Sequence, residues 1–312
     1  MKIGLIGFGS VGNRHYNNLL KHTKDIVVFS QRKNLDINGC VSKWDIFVEK
    51  GPYDAVFITN ETYKHIKTIK QCINLKPRAI FVEKPLSHNL NDLSVIRSII
   101  KKEKISFYVG YNFHFFKPYI YIKEIIDSGK LGKIYYLRAS VGQNLKDWRQ
   151  RDYKLNYSSK KKQGGGVLLD LVHDINYPSW LLGEKLILQS AIVRKLSDLD
   201  IDTEDCADSL FSTKSGVVVS VHQDYLRASL RTSLEIIGSK KSLLWDSVNQ
   251  AVVLQEKEKE AKKKFFTERN DMFIAELKFF FTELKRNKFF TNIDEAIYDM
   301  EIINNIKKYG RK

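Results

Sequence analysis

Three glycines at positions 7, 9 and 12 constrain this chain more than any other feature. Ahead of them Ile3, Leu5 and Ile6 form a short apolar run without helical spacing; behind them Val11, Tyr16, Leu19 and Leu20 fall on one face of a helix. The stretch therefore reads strand, tight turn, helix. In G-x-G-x-x-G the first glycine makes the turn, the second lets a pyrophosphate approach the backbone, and the third lets helix and strand pack closely. The first N–H groups of the helix have no intrahelical partner and face a phosphate well. A glycine turn in an ordinary α/β domain has the same spacing, but the strand before it and the amphipathic helix after it favour a dinucleotide site at Gly7, Gly9, Ser10, Val11 and Gly12.

Residues 25–30 and 53–59 have the β-branched and aromatic content of buried strands, and residues 79–82 and 105–109 follow suit. Helical spacing appears between them, at Ile66, Ile69 and Ile73, and at Leu90, Leu93, Ile96, Ile99 and Ile100 after a capping region at 87–91. Strands alternating with helices predict an α/β fold with a doubly wound parallel sheet, a Rossmann domain over residues 1–118. Near Pro118 the pattern changes, and residues 119–312 read as a second α/β domain. There a helix (Ile122, Ile125, Ile126) ends at Ser128-Gly129, a strand covers 133–141, and Gly164, Gly165 and Gly166 precede a helix of about 170–182. Strands then follow at about 188–194, 207–213, 217–225, 232–237 and 251–254, so closely spaced that they must be antiparallel. Two helices, about 271–286 and 293–308, end the chain. Helical spacing with Phe273 and Leu277 makes Phe279, Phe280 and Phe281 core or interface.

At 312 residues, 43% hydrophobic and 12% aromatic, the chain is long and apolar enough for two cores. It has no run of roughly 18 uncharged apolar residues and no signal-peptide h-region, so a cytoplasmic protein without membrane contact is expected. Cys40, Cys72 and Cys206 are widely spaced and read as reduced, packed thiols, and no metal site is read. The net charge of +16 raises nucleic-acid binding, but the lysines are scattered and the runs at 160–162 and 262–264 lie in polar stretches, so a solvated surface is the better reading. An acidic ligand still profits from the field.

The second strand ends at Ser30, Gln31, Arg32 and Lys33, where an NAD enzyme usually places an acid for the ribose 2′-OH. Without that acid, Ser30, Arg32 and Lys33 suit a 2′-phosphate, and NADP(H) is favoured with NAD(H) as the second choice. Other strand tips carry Thr59-Asn60, Glu83-Lys84-Pro85 and Tyr111-Asn112, at the carboxyl ends where ligands bind an open parallel sheet. A lysine beside a bound nicotinamide is partly desolvated and near positive charge, both of which tune it toward proton transfer. Taken alone, Lys84 also reads as a surface strand-end lysine.

With these motifs the sequence resembles the glucose–fructose oxidoreductase and inositol dehydrogenase (Gfo/Idh/MocA) family over nearly its whole length. The resemblance rests on GFGSVG at 7–12, ITNETYKH at 58–65, VEKP at 82–85, GYNFHFFKP at 110–118, SGKLGKIYYLRA at 128–139 and GGGVLLDLVHDINYPSWLLG at 164–183. It implies an NAD(P)-dependent enzyme acting on sugars or cyclitols, a second domain with a large, mostly antiparallel open sheet, and a substrate site between the two domains. The resemblance assigns Lys84 to the reacting hydroxyl or carbonyl, and Asp170 and His173 to proton transfer. It adds Thr59, Asn60, His65, Glu83, Lys84 and Asn112 to the cofactor set, and Tyr111 to the substrate set. The family often spaces the acid and histidine as D-x-x-x-H; here they are Asp170 and His173, whose i, i+3 spacing puts both on one helix face, and the later acid is replaced by Asn176. Asp174 is an added acid without an assigned role.

The reading is a sugar or nucleotide-sugar oxidoreductase, homo-oligomeric, in bacterial surface-sugar metabolism. Lys84 and His173 handle the hydroxyl proton and Asp170 orients them. Trp148, Arg149, Arg151 and Tyr153 are placed on an anionic handle of the substrate, since arginines grip phosphate or carboxylate bidentately and aromatic faces cover a sugar. The rival reading is a catalytically silent NADP(H)-binding regulatory protein, against which the retained Lys84, Asp170 and His173 argue.

Overall fold

The apolar runs of the first hundred residues become buried strands of one parallel sheet, because a strand covered on both faces by helices is the structure that buries such a run throughout. The computed structural model describes residues 1–32, 35, 37–148 and 152–310. Its first part runs β1 (Ile3–Ile6), α1 (Ser10–Leu19), β2 (Ile26–Phe29), β3 (Cys40–Val41), α2 (Trp44–Glu49), β4 (Ala55–Ile58), α3 (His65–Ile73), β5 (Ala79–Glu83), α4 (Leu93–Glu103) and β6 (Ser106–Gly110). The strands lie in the order β3-β2-β1-β4-β5-β6, every pair parallel. The order reverses between β1 and β4, the switch point at which such sheets bind ligands. β3 and α2, two and six residues long, are too short for periodicity to announce.

The later elements are α5 (Lys117–Asp127), β7 (Ile134–Gly142), α6 (Val167–Asp170), α7 (His173–Leu182), β8 (Ile187–Arg194), β9 (Cys206–Ser212), β10 (Val218–Asp224), β11 (Arg231–Gly238), β12 (Ser242–Asp246), β13 (Ala251–Glu256), β14 (Lys259–Lys264), α8 (Arg269–Lys285) and α9 (Ile293–Tyr309). Eight of them form a second sheet, β14-β13-β12-β11-β7-β10-β9-β8, antiparallel except where β10 runs parallel to β7. The long excursion through α6 and α7 supplies the crossover that a parallel pair needs. Burial alternates along β9 and β10, with Ala207, Ser209, Phe211, Val219 and Val221 facing inward, β9 beneath α6 and β10 beneath α6 and α7. The lysines at 262–264 lie in β14, an exposed edge strand paired with β13. Charge along such an edge opposes pairing with another chain. Among the described residues no helix is long and apolar enough to cross a membrane.

The chain forms two compact units, Met1–Tyr111 with Phe273–Met300, and Asn112–Met272 with Glu301–Lys312. This differs from a single division at residue 118, for a physical reason. Phe280 of α8 packs on Phe57, Phe81 and Tyr108 of the parallel sheet, and Phe281 on Phe57 and His22. Beyond α8 the chain pairs with β6: Phe107 N–H donates to the Phe290 carbonyl, and the Asn292 side chain accepts from Val109 N–H at 2.8 Å and donates to its carbonyl at 2.9 Å. The last helices thus complete the first unit's core. Replacing a core phenylalanine by alanine typically costs about 3–5 kcal/mol, so Phe280→Ala is expected to lower the unfolding free energy read from urea melts by about that much. Phe279→Ala, at a position 38% exposed, is expected to change stability by less than about 1 kcal/mol; equal losses in the two melts would contradict this packing.

Candidate active-site groups

In the first unit the glycine turn is dictated by contact. Gly7 has φ 94°, and a Cβ there would stand 2.5 Å from the Asn60 nitrogen; at Gly12 it would stand 2.3 Å from the Gly7 carbonyl oxygen. Thr59 Oγ1 donates to that same carbonyl at 2.8 Å, so the tip of β4 locks the turn. A Cβ on Gly9 would meet no heavy atom within 4 Å. The middle glycine therefore borders open space, as the approach of a pyrophosphate requires, while the other two are filled by the protein. α1 starts at Ser10 with no side-chain cap and no acid in its first turn, leaving its N–H groups to an anion. These observations fit a dinucleotide held at Gly9, Ser10 and Val11. Ser30 is buried, its Oγ accepting from the Arg32 N–H at 3.2 Å, and Arg32 is exposed; Lys33 lies outside the described residues.

Two switch-point tips away, β5 delivers Glu83 and Lys84. Glu83 is buried with its Oε1 2.5 Å from His15 Nε2, and Lys84 is half-buried at the strand end. His65 is a buried strut: Nδ1 lies 2.9 Å from the Pro85 carbonyl oxygen and Nε2 3.0 Å from that of Asn60, and burial lowers its pKa against those hydrogen bonds. It ties the β4 tip to the Lys84-Pro85 turn. Asn60 Nδ2 donates to Thr68 Oγ1. Tyr111 faces the unit's interior, 1% exposed, with burial first and then the Asp299 carboxylate raising its pKa well above normal. Beneath Glu83 lies Glu276 of α8, fully buried, with neither carboxyl oxygen hydrogen-bonded among the described residues. Burial above all, and then Glu83, pushes its pKa well up, so it holds its proton.

In the second unit the glycine run is again shaped by packing. Gly164 and Gly166 have φ 79° and 110°; a Cβ on Gly165 would stand 2.4 Å from the Ser158 carbonyl oxygen, and one on Gly166 2.4 Å from Glu204 Oε1. The helix then breaks. α6 ends at Asp170, the Leu171 carbonyl accepts from Gln223 Nε2 at 2.6 Å, and α7 starts at His173. Asp170 and His173 thus flank a break instead of sharing one helix face. The same carbonyl also accepts the Asp174 N–H at 3.0 Å in a tighter i, i+3 turn, so the side-chain donor from β10 braces the break from the sheet.

Asp170 is buried and accepts from the Tyr225 hydroxyl at 2.7 Å; Tyr225 in turn packs edge-on against Trp148, centroids 5.2 Å apart. The His173 ring stacks on Phe113 at 4.5 Å and 10°. Asp174, also buried, points to Tyr119 and Tyr177, whose pKa values burial raises first and Asp174 raises further. That makes it part of the helix core. His114 Nε2 donates to Asn176 Oδ1 at 2.8 Å, and the ring stacks on Trp180. The Tyr153 hydroxyl accepts from the Asp200 N–H, and Asn112 is buried at the start of its turn. Arg149 and Arg151 lie outside the described residues.

His15, Glu276, Gln223 and Tyr225 were not singled out from the sequence. One signal was available: Glu276 sits on the apolar face that Phe273, Leu277 and Phe280 define, where a charge is out of place.

Two outcomes follow from these groups. Gly9→Val is expected to leave the unfolding midpoint nearly unchanged while weakening dinucleotide binding at least tenfold, about 1.4 kcal/mol; Gly12→Ala is expected to destabilise the fold itself. Calorimetric titration beside thermal melts separates the two. Burial drives the His114 pKa down to about 4 against the upward pull of Asn176. The neutral form is the one the fold accepts, so this contribution is complete above pH 6.5 and is lost as pH falls toward 4. Unfolding free energy should drop by about 2 kcal/mol from this group between pH 7 and pH 5, and urea melts of His114→Gln should lack that portion of the drop.

Comparison with known proteins matches these groups to one family. Residues 1–111 match the oxidoreductase family, NAD-binding Rossmann fold, and residues 119–244 the GFO/IDH/MocA C-terminal domain. The myo-inositol 2-dehydrogenase of Thermotoga maritima is 27% identical over 307 residues, covering 91% of this chain and 88% of that protein. The inositol 2-dehydrogenase of Rhizobium meliloti is 24% identical, covering 69% and 66%. Among solved structures, myo-inositol 2-dehydrogenase from Lactobacillus plantarum superposes with a TM-score of 0.83 at 20% identity, and levoglucosan dehydrogenase in complex with NADH and levoglucosan with 0.86 at 16%, each covering 100% of this chain and 97% of the other. A glycine cradle that fits a dinucleotide, a parallel sheet in Rossmann order, a large open second sheet and both family matches converge: this chain belongs to the GFO/IDH/MocA family of NAD-binding oxidoreductases.

Proposed function

We propose that the protein is an NAD(P)-dependent dehydrogenase or reductase of a sugar, cyclitol or nucleotide sugar, and that Lys84 exchanges the hydroxyl proton. The observation that carries this reading is the shared placement of the open Gly9 cradle and half-buried Lys84 at the carboxyl ends of β1 and β5, on the same edge of the parallel sheet with β4 between them. The relatives named for inositol and levoglucosan support a polyhydroxylated substrate. The nicotinamide, when bound, supplies the hydride chemistry. His173, held flat by Phe113, is assigned the second proton-transfer role, and Asp170, fixed by Tyr225, the role of orienting the acid–base groups. Trp148 and Tyr153 offer aromatic faces near arginines 149 and 151 in sequence. They support an anionic sugar, as surface-sugar synthesis uses.

Removing one positioned acid–base group costs on the order of 100- to 10,000-fold in rate. Lys84→Met and His173→Ala are each expected to lose that much kcat, with cofactor affinity retained, when neutral, acidic and nucleotide-linked sugars are screened by nicotinamide absorbance. Bound cofactor that no such compound oxidises or reduces would make the protein a binding protein.

We further propose NADP(H) as the preferred cofactor. Exposed Arg32 beside buried Ser30, with no acid at the β2 end, supports a site for the 2′-phosphate. NADP(H) should bind more tightly than NAD(H), and Arg32→Ala should narrow the gap; equal affinities in the unmutated protein would refute it. Self-association through the outward face of the second sheet completes the proposal. Ile192, Leu210, Val218, Ile237 and Leu244 are each 39–59% exposed there, apolar surface that a second copy would cover.

A further inference from the structure

The outward face of β9 and β10 carries a group of side chains for which the oxidoreductase chemistry has no use. The antiparallel register sets Cys206 opposite Asp224 and Asp208 opposite His222. Side chains so paired stand roughly 5 Å apart at Cβ, and the two-residue period of a strand puts all four on one face. One ligand atom from each of Cys206, Asp208 and His222 lies within 4.8 Å of the others. His222 is the hub: Nδ1 is 2.9 Å from Asp208 Oδ1, and Nε2 is 2.9 Å from Asp224 Oδ2.

The two carboxylates differ in freedom. Asp224 is almost fully buried and tightly held, its Oδ1 accepting from the Leu226 and Arg227 N–H groups at 2.8 and 2.9 Å and its Oδ2 from Arg227 Nε at 3.1 Å. Asp208 is exposed, its carboxylate able to swing without moving the strand.

We propose that Cys206, Asp208 and His222 bind a zinc ion, with Asp224 as the carboxylate that orients the imidazole. A thiolate, an imidazole and a carboxylate are the donors zinc takes, and the sulfur disfavours magnesium and calcium. With Nε2–H committed to Asp224, the ring presents Nδ1 to the ion, the carboxylate–histidine–metal arrangement that fixes a ligand's tautomer and direction. Three protein ligands leave the fourth tetrahedral position to water. Zinc–ligand bonds of about 2.0–2.3 Å place ligand atoms roughly 3.5 Å apart, so the widest separation must shorten by about 1 Å while Asp208 Oδ1 and His222 Nδ1, 2.9 Å apart, part slightly to admit the ion. The ion competes with protons for the thiol and for Nδ1, so uptake strengthens as either is released. The site lies wholly within the second unit and does not depend on the proposed activity.

The test titrates full-length, metal-stripped protein with zinc chloride by calorimetry, with equilibrium dialysis and elemental analysis giving the stoichiometry. One zinc per chain with micromolar or tighter affinity is expected. Cys206→Ser and His222→Gln should lose it, Asp224→Asn should weaken it roughly 10- to 100-fold, and Cys40→Ser should match the unmutated chain. Cobalt(II) serves as a second probe on the unmutated protein, expected to show visible ligand-field bands together with a thiolate charge-transfer band. This readout keeps the proposal testable even where a variant fails to fold. The proposal is overturned by the absence of stoichiometric uptake at micromolar zinc, by an unchanged isotherm for folded Cys206→Ser, or by a cobalt spectrum without the thiolate band.

Discussion

The approach of the α1 backbone to the first turn is the contact on which the first unit depends. At Gly12 the space for a side chain is already taken by the Gly7 carbonyl, and that carbonyl is pinned by Thr59. One steric exclusion therefore sets the angle between β1 and α1, the position of the β4 tip and the direction of the first helical N–H groups. The same tip is tied through His65 to the turn after Lys84. Three strand ends are held as one rigid edge by ties that span 52 residues from Thr59 to Gly7 and 20 from His65 to Pro85. Rigid placement matters because a charged ligand gains most from donors that need no rearrangement.

Beneath that edge the protein accepts a cost. His15, Glu83 and Glu276 place ionisable groups in a shell of phenylalanine rings, where an unpaired charge is expensive. Glu276 meets the cost by staying protonated, and Glu83 by its contact with His15. The second unit handles an equivalent difficulty differently. Its helix is interrupted at Leu171, whose carbonyl accepts both the Asp174 N–H and the Gln223 side chain from the sheet. In both units a polar side chain from a distant element fixes the segment that carries the assigned proton-transfer residues.

Much of this was legible in the sequence because it is periodic or sterically forced. The G-x-G-x-x-G turn, the strand and helix alternation and the antiparallel strands each leave a local pattern that survives without knowledge of the fold. What escaped did so for definite reasons. β3 and α2 span fewer than two periods of their patterns, too little for a repeat to show, and β14 hides among lysines because an exposed edge strand has no apolar face to display. The break between Asp170 and His173 depends on Gln223, fifty-two residues onward. Tyr111 looked available beside Asn112 until its phenol was found turned toward Asp299. Cys206, Asp208 and His222 have no spacing typical of metal ligands; only strand register brings them together.

The route of the chain's last segment has a consequence for synthesis on the ribosome. The first 111 residues contain every strand of the parallel sheet, yet the apolar surface of β4, β5 and β6 is covered by Phe280 and Phe281, and the β6 edge by residues 290–292. A growing chain thus exposes that surface from the completion of β6 until α8 has been made, whereas most domains are sealed as they emerge. The nascent protein carries an open hydrophobic seam throughout the synthesis of residues 112–268, and the seam closes only with the arrival of α8. Premature stops or slow codons late in the message would therefore damage the unit encoded first.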